Sequence, residues 1–221
     1  MSLNKSKGQM YPWIDFTWNV IKGKCPHDCV YCYCKQWGEQ SSLHFDEKEL
    51  KTDLGSGNFI FVGSSCDMWA SVIPQAWIDA VWLKCLLYPD NLYLFQSKNP
   101  SRFLLYELSL IGNALWGTTI ETNRIYPQFM GNAPTPYYRV KAMLEIGQPK
   151  MVSIEPIMDF DPEELVRYMR LIKPEFVSIG ADSKGHGLPE PTKEKIYDLV
   201  SALKEFTEVL LKSNLKRLGV E

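Results

Sequence analysis

The sequence predicts an α/β fold in which six parallel strands form an open, partial (βα)6 barrel of the TIM type, with its helices outside. Three observations support this prediction. Short apolar segments, typical of buried parallel strands, alternate along the chain with longer helical patterns. Polar residues follow each apolar segment directly, as they do where parallel strands end at a common mouth. No G-x-G-x-x-G fingerprint follows the first strand, which ranks the alternative, a flat doubly wound sheet, second.

The six predicted strands differ in pattern but share one kind of ending. At 15–20 the residues D-F-T-W-N-V alternate apolar and polar side chains, and the run F-I-F-V-G at 59–63 is continuously apolar. The remaining strands are predicted at 92–95, 115–120, 151–154 and 176–179. They end, in chain order, in the cysteine loop, S-S-C-D, Q-S-K, E-T-N, E-P and G-A-D. We therefore expect these groups to converge on one active site.

The helices are predicted from periodicity and from their start and stop signals. One begins near Val30 and reaches Trp37, and a second covers 46–54 with Asp46 as its N-cap. The later helices are predicted at 74–87, 101–111, 136–146, 162–172 and 192–212. We place residues 1–14 in an N-terminal extension, whose opening Met-Ser-Leu is typical of a tag remnant, and residues 15–221 in a single domain.

Charge and composition narrow the function classes. The formal net charge of the 221-residue chain is −2, so no overall positive field favours nonspecific binding of nucleic acid. The N-terminus has no apolar run, and charged residues interrupt the longest apolar stretches, so we expect neither a secretory signal nor a membrane span. Six cysteines without a signal peptide favour the reducing cytoplasm, where cysteines more often bind metals than form disulfides.

Three cysteines stand in the spacing C-x-x-x-C-x-x-C, namely Cys25, Cys29 and Cys32. A 4Fe-4S cluster has four irons, and proteins that use such clusters only to carry electrons usually supply four cysteines. An incomplete ligand set leaves a position open for a small molecule, which distinguishes catalytic metal sites from closed structural ones. The loop therefore predicts an iron-sulfur cluster with one open iron.

Two non-enzymatic interpretations stay open at this point. A zinc site would need a fourth ligand, for which His27, Cys34 and Cys66 are candidates, although no second cysteine pair is present. An electron carrier would complete the cluster with a fourth protein ligand. Cys34 lies two residues after Cys32, about 200° round a helix, so it is predicted to point away from the cluster.

With these residues in place, the chain resembles the radical S-adenosylmethionine enzymes over roughly residues 17–206. The loop G-K-C-P-H-D-C-V-Y-C-Y is most similar to the branch that contains spore photoproduct lyase. The pieces F-V-G-S-S-C-D-M-W, L-W-G-T-T-I-E-T-N-R, V-S-I-E-P and V-S-I-G-A-D resemble a phage-associated set of unassigned substrate in the same branch. The resemblance implies a 4Fe-4S cluster on the three cysteines whose open iron binds S-adenosylmethionine.

The resemblance also implies a reaction and its partners. A reduced cluster would cleave S-adenosylmethionine to a 5′-deoxyadenosyl radical, which abstracts hydrogen from a substrate. A flavodoxin or ferredoxin type of electron donor would supply the electron. Nucleic acid or a nucleotide is the first expectation for the substrate, because of the branch, although the acidic charge balance of the chain opposes it.

Further positions take family roles as implications of the resemblance. Tyr31 would lie beside the adenine, and Lys98 would pair with the methionine carboxylate. Thr119 and Glu121 would bind the ribose hydroxyls. Ser64 and Ser65 stand where many family members have a Gly-Gly-Glu that binds the methionine amino group, a triplet that this sequence lacks. Arg124 and Arg139 are further carboxylate candidates, while Glu155, Pro156 and Asp182 could face adenine or substrate. A structural ion pair is the competing expectation for Arg139 and Glu155.

Overall fold

A computed structural model describes residues 2–8 and 10–221 and shows an α/β fold with a mostly parallel sheet. The strands are β1 (Asn4–Lys5), β2 (Phe16–Trp18), β3 (Ile21–Lys22), β4 (His44–Phe45), β5 (Phe59–Val62), β6 (Leu92–Ser97), β7 (Ala114–Thr119), β8 (Lys150–Ile154), β9 (Phe176–Ile179) and β10 (Glu208–Leu211). The α-helices are α1 (Glu47–Leu50), α2 (Gln75–Leu86), α3 (Pro127–Met130), α4 (Pro136–Leu144), α5 (Pro162–Ile172) and α6 (Lys193–Lys204). Short 3-10 helices cover Tyr33–Trp37, Pro100–Leu105, Leu108–Leu110 and Ser213–Leu218.

The main sheet of the described residues has eight strands in the order β1-β2-β5-β6-β7-β8-β9-β10. The strands from β2 to β10 pair in parallel, whereas β1 pairs with β2 antiparallel. The six predicted strands are all present as consecutive neighbours, so the predicted class of a partial parallel barrel with outer helices is confirmed. Because the strands from β2 to β10 run parallel, each of them delivers its following loop to the same end of the sheet.

The helix predicted at 192–212 is wrong in its last third. Helix α6 ends at Lys204, and residues 208–211 form β10, which pairs in parallel with β9. The segment T-E-V-L-L at 207–211 contains β-branched and apolar residues that fit a pleated surface, and pairing with the open edge of β9 satisfies their backbone groups. The parallel part of the sheet therefore has seven strands.

Three other predicted helices are shorter or tighter than expected. Residues 101–111 form two 3-10 helices, because Tyr106 is extended and its ring packs against Trp69 and Trp82 at centroid distances of 5.4 and 4.8 Å. The helix predicted at 46–54 covers only Glu47–Leu50, although Asp46 does cap it by accepting bonds from Lys48 N and Glu49 N. The segment from Val30 to Trp37 holds only the 3-10 helix Tyr33–Trp37.

The two faces of the sheet carry separate apolar clusters. The larger cluster lies between the sheet and the helices and includes the fully buried Phe95, Trp116 and Val152. On the other face, Phe61 and Leu94 pack with Tyr11 and Ile14. Residues 10–14, which the sequence analysis set apart as an extension, thus fill the inside of the open barrel. Burial of each large apolar side chain stabilises the folded state by roughly 1.5–3 kcal/mol, so this segment contributes to the stability of the domain.

Membrane attachment was not expected from the sequence. Within the described ranges, no helix combines the length and the apolar character needed to cross a lipid bilayer.

Candidate active site

The loops that follow four neighbouring strands, β2, β5, β6 and β7, meet at one end of the sheet. The first carries Asn19 and the cysteine loop, and the second carries Ser64 and Asp67. Lys98 follows β6 directly, and Glu121 lies two residues beyond β7. The parallel topology therefore brings these groups into contact, as the sequence predicted.

The cysteine loop is held by backbone bonds to the segment around α3. Val30 N donates to Phe129 O at 2.9 Å, and Asn132 N donates to His27 O at 2.7 Å. Gly131 adopts a φ of +60°, and a Cβ at this position would lie 2.1 Å from His27 O. The close approach of the two backbones therefore requires glycine, and it fixes the path of the loop between its first two cysteines.

Asp67 ties the cysteine loop to the ends of β5 and β6. Its carboxylate accepts hydrogen bonds from His27 Nε2 at 2.8 Å, from Ser97 Oγ at 2.9 Å and from Lys98 N at 2.8 Å. Burial raises the pKa of Asp67, but the bond from His27 and the charge of that imidazole outweigh it, so the pKa lies below its usual value. A carboxylate therefore persists here and organises three elements at once.

Two of the three thiols have lowered pKa values. A hydrogen bond from the Cys66 thiol lowers the pKa of Cys25 to about 7, and one from Cys34 lowers the pKa of Cys32 to about 6. Burial raises the pKa of Cys29 to about 11. The prediction that Cys34 points away was wrong, because Cys32 lies before the first residue of the 3-10 helix and the rotation per residue of an α-helix does not apply.

Three cysteines on one anchored loop are a donor set suited to an iron-sulfur cluster, since each cysteine of a cluster binds a different iron. Among the residues that the structure describes, no group of three or more His, Cys, Asp or Glu side chains is arranged to hold a metal ion.

Four of the predicted cofactor residues form one buried polar group with Arg139. Tyr31 Oη donates to Glu121 Oε1, and Lys98 Nζ donates to the same oxygen at 2.7 Å. Arg139 Nη1 donates to Glu121 Oε2 at 2.7 Å and to Thr119 O at 2.9 Å. Burial raises the pKa of Glu121, but the charges of Arg139 and Lys98 outweigh it and hold this pKa well below its usual range. Glu121 is therefore an anion between two cations.

The members of this group differ in their exposure to solvent. Arg139 and Glu121 are fully buried and form an ion pair at 2.7 Å. The Lys98 side chain is 17% exposed, and its ammonium lies 5.3 Å from the centre of the Tyr31 ring. Lys98 is thus the cation of the group that a ligand can reach.

Ser64 and Ser65 lie on the other side of the cysteine loop. Ser64 Oγ donates to Asn19 Oδ1 at 3.2 Å, and Ser65 N donates to the same oxygen at 2.9 Å. The sulfur of Cys34 lies 3.2 Å from Ser65 O, and Tyr33 Oη donates to Ser64 O. The two serines therefore contact the cysteine loop, and within the described part of the chain they make no hydrogen bond to the group around Glu121.

Arg124, Glu155 and Asp182 have charged partners of their own. Arg124 pairs with Asp159 and Asp161, and Glu155 accepts bonds from Lys212 Nζ at 2.7 Å and Asn214 Nδ2 at 3.0 Å. Asp182 accepts a bond from His186 Nδ1 at 2.8 Å. The expected ion pairs of Arg139 and Glu155 are present, with Glu121 and Lys212 as partners.

Comparison with solved structures identifies the fold. A mutant of spore photoproduct lyase, a radical S-adenosylmethionine enzyme, superposes with a TM-score of 0.65 over 92% of this chain and 78% of its own, at 11% identity. The chain has the fold of spore photoproduct lyase. A complex of that lyase with a dinucleoside spore photoproduct matches with a TM-score of 0.60 over 90% of this chain and 64% of the other, at 12% identity.

A third solved structure carries both kinds of ligand. It is a double mutant of spore photoproduct lyase with bound AdoMet and dinucleoside spore photoproduct, and it matches with a TM-score of 0.58 over 93% of this chain and 66% of the other, at 11% identity. No protein-family model and no curated protein matches the chain. The resemblance stated from the sequence is therefore confirmed at the level of the fold.

Sequence reasoning missed two residues of the site. Asn19 was placed inside the first strand, but β2 ends at Trp18, so Asn19 lies at the mouth and binds both serines. Tyr11 was placed in the extension, but its hydroxyl donates to Gln96 Oε1 at 3.0 Å inside the barrel. The first error came from a strand boundary, whereas no local pattern indicates the position of Tyr11.

Proposed function

We propose that this protein is a radical S-adenosylmethionine enzyme. The observation that carries the proposal is the position of the cysteine loop, which opens at the barrel mouth beside the buried group of Tyr31, Lys98 and Glu121. Three cysteines bind three irons of a 4Fe-4S cluster, and the fourth iron is left for a small molecule. The shared fold of spore photoproduct lyase, one structure of which contains AdoMet, supports this assignment.

Each residue of the site has a proposed task. Cys25, Cys29 and Cys32 hold the cluster, while Asp67 and Gly131 fix the loop that carries them. When bound, the cluster and S-adenosylmethionine supply a 5′-deoxyadenosyl radical that abstracts hydrogen from the substrate. The protein itself binds and orients the cofactor and the substrate, and it excludes water and oxygen from the site.

Charge favours an anionic group of the cofactor next to Lys98. Lys98 and Arg139 carry two positive charges, and Glu121 neutralises only one of them. We assign Lys98 to the methionine carboxylate, because it is more accessible than Arg139 and retains further N–H donors. Tyr31 would contact the adenine, Thr119 and Glu121 would bind the ribose hydroxyls, and Ser64 and Ser65 would bind the methionine amino group. Arg124 remains a second carboxylate candidate, although two aspartates already bind it.

For the substrate we propose nucleic acid or a nucleotide. The support is that two of the similar structures contain a dinucleoside spore photoproduct. The formal charge of −2 opposes tight binding of a polyanion through the overall field, so contacts at the mouth must supply the affinity. An ultraviolet-irradiated DNA oligonucleotide should increase the formation of 5′-deoxyadenosine, and the same unirradiated oligonucleotide is the control.

The proposed partner and location follow from the chemistry of the cluster. A flavodoxin or ferredoxin type of electron donor supplies the reducing electron. Six free cysteines and an oxygen-sensitive cluster favour the reducing cytoplasm.

Anaerobic reconstitution with iron and sulfide tests the proposal. We expect about four irons per chain and an electron paramagnetic resonance signal of the reduced cluster that changes when S-adenosylmethionine is added. Lys98→Ala should keep the cluster and weaken S-adenosylmethionine binding. A colourless protein with stoichiometric zinc would favour a zinc module, and a cluster spectrum indifferent to S-adenosylmethionine would favour an electron carrier.

A further inference from the structure

The inside of the barrel changes from apolar to polar toward its mouth. Its lower levels are apolar, since Phe61, Leu94 and Met151 pack there in one buried cluster. Side chains two residues apart on a strand point the same way, so the next inward positions on β6 and β8 are Gln96 and Ser153. A barrel interior that served packing alone would be apolar at this level too, so the change to polar side chains is informative.

Five polar side chains form this level, and we call them the inner polar layer: Gln96, Thr119, Ser153, Glu155 and Lys212. Each lies at or just beyond the carboxyl end of its strand or at the position before that end. Lys98 and Glu121 each come two residues after a member of the layer, so the layer lies one level below the residues assigned to the cofactor. The side chains of Glu155 and Lys212 are 21% and 13% exposed, so the layer is open to solvent.

Two glycines make room for the layer. A Cβ at Gly117, which pairs with Gln96 across β6 and β7, would lie 3.2 Å from Gln96 Cγ and 2.8 Å from Met151 Sδ. A Cβ at Gly180 would lie 2.6 Å from Glu155 Oε1. Glycine inside a sheet marks a place of close approach. Gln96 and Glu155 therefore lie against the wall of the barrel, over positions that have no side chain.

Gln96 keeps hydrogen-bonding capacity for a ligand. Its Oε1 accepts a bond from Tyr11 Oη at 3.0 Å, and its Nε2 donates to Thr119 Oγ1 at 3.1 Å. A carboxamide has two N–H donors and two acceptor lone pairs, so within the described part of the chain one N–H and one lone pair of Gln96 are left. A donor and an acceptor side by side match the edge of a nucleobase, which glutamine can bind through two hydrogen bonds.

The charges of the layer cancel. Lys212 Nζ donates to Glu155 Oε2 at 2.7 Å, and the same ammonium lies 4.6 Å from the centre of the Tyr11 ring. With one positive and one negative side chain, the layer offers a phosphate no net charge. An uncharged ring with donors and acceptors on its edge fits this lining better than a phosphate does.

We infer that the inner polar layer determines substrate specificity and that Gln96 recognises the edge of a nucleobase inside the barrel. This inference rests on the proposed function, in which the substrate is nucleic acid or a nucleotide, and it identifies the base as the part that is recognised. The phosphates then stay outside the barrel, which agrees with the formal charge of −2. The competing explanation is that Gln96 only holds Tyr11 and the N-terminal segment in place.

Binding of DNA to the reconstituted protein tests the inference. The probes are three single-stranded oligonucleotides of equal length, namely ultraviolet-irradiated DNA, the same DNA without irradiation, and abasic DNA. Wild type should bind the irradiated DNA at least about tenfold more tightly than the abasic DNA. Gln96→Met keeps the size of the side chain and removes both hydrogen-bonding groups. It should raise the Kd for irradiated DNA about tenfold and leave the Kd for abasic DNA and the iron content unchanged.

Tyr11→Phe and Gln128→Met are the matched controls. Tyr11→Phe breaks the same bond between Tyr11 and Gln96 but leaves the amide, and Gln128 is exposed on α3. Both variants should bind the three probes as wild type does. Unchanged Kd values in Gln96→Met, an equal rise for all three probes, or the same rise in Tyr11→Phe would overturn the inference. So would a wild type that binds none of the probes or shows no preference for DNA that carries bases.

The same samples separate this inference from the proposed function. A cluster that responds to S-adenosylmethionine, in a protein without a preference for bases, would overturn the inference alone. A base preference that is lost in Gln96→Met, in a chain that holds no cluster, would contradict the proposed radical enzyme and support the inference.

Discussion

At the scale of single residues, Glu121 is the side chain on which the buried charges of the site converge. It is fully buried and accepts hydrogen bonds from Tyr31, Lys98 and Arg139. A buried carboxylate without partners would lose its charge, but here two cations keep it ionised. The same anion prevents the two cations from repelling each other, so it is required for stability as well as for the shape of the site.

Glu121→Gln should destabilise the protein by about 3–5 kcal/mol at pH 7, because Arg139 then stays buried without a counter-charge. The folded pKa of Glu121 lies well below its ordinary value of 4.5, so the stabilisation is complete above pH 4.5 and is lost as the pH falls toward the folded pKa. The difference in the free energy of unfolding between wild type and Glu121→Gln should therefore narrow by about 1.4 kcal/mol per pH unit below 4.5. Urea unfolding of the two cluster-free proteins at pH 7 and at pH 3.5 measures this difference.

Glu163→Gln, on the exposed face of α5, is the matched control and should change the free energy of unfolding by less than about 0.5 kcal/mol. A Glu121→Gln variant as stable as wild type at pH 7 would show that the buried charge group is not needed.

The five cysteines near the mouth should divide into ligands and hydrogen-bond donors. Cys32→Ala should hold almost no cluster after anaerobic reconstitution, because each ligand binds one iron. Cys66→Ala removes only a donor to Cys25, so it should retain most of the iron and sulfide of wild type. Iron and sulfide analysis measures both. A complete cluster in Cys32→Ala, or its loss in Cys66→Ala, would assign the ligands differently.

At the scale of elements, the cysteine loop packs closely against the segment around α3 through backbone hydrogen bonds and the contact at Gly131. Gly131→Ala should destabilise the protein by more than about 1 kcal/mol and reduce cluster uptake, because its Cβ would lie 2.1 Å from His27 O at a φ of +60°. Chemical unfolding and iron content measure the two effects.

Gly147 provides the control for this change. A Cβ at Gly147 meets no atom within 4 Å, and its φ is not positive, so Gly147→Ala should be neutral or slightly stabilising. Equal free energies of unfolding for Gly131→Ala and Gly147→Ala would show that the close contact of the two backbones does not contribute to stability.

Elements are also where prediction from sequence succeeded and failed. The six parallel strands follow from short apolar runs, and the meeting of Tyr31, Lys98, Thr119 and Glu121 follows from strand ends. β10 was missed because a short apolar run such as V-L-L after a helix fits both a helix and a strand. Its pairing with the open edge of β9 makes it a strand, and that edge is not visible in the local sequence. The ion pair of Glu121 with Arg139 joins β7 to α4 across 18 residues, a distance over which no local pattern acts.

At the scale of the whole molecule, the N-terminal segment closes the inside of the barrel. Ile14 is buried with Phe61 and Leu94, and β1 pairs with the first strand of the parallel sheet. Residues 4–5 and 10–14 are thus packed against the same strands that carry the site. Substitutions in residues 10–14 should therefore lower the free energy of unfolding of the whole domain.

Ile14→Ala should lower the free energy of unfolding by about 2–5 kcal/mol, since it leaves a cavity between this segment and the sheet. Ile125→Ala, at a residue that is 60% exposed, should cost less than about 0.5 kcal/mol. Urea denaturation of both variants makes the comparison. Equal and small losses would show that residues 10–14 pack loosely.

The central claim is that three cysteines hold a cluster with one open iron that binds and cleaves S-adenosylmethionine. The most direct measurement is the formation of 5′-deoxyadenosine by the reconstituted protein under anaerobic reduction, with Cys32→Ala as the control. We predict that wild type produces 5′-deoxyadenosine and methionine in equal amounts and that Cys32→Ala produces neither. A wild-type protein that holds a reduced cluster, binds S-adenosylmethionine and forms no 5′-deoxyadenosine, with or without irradiated DNA, would contradict the account.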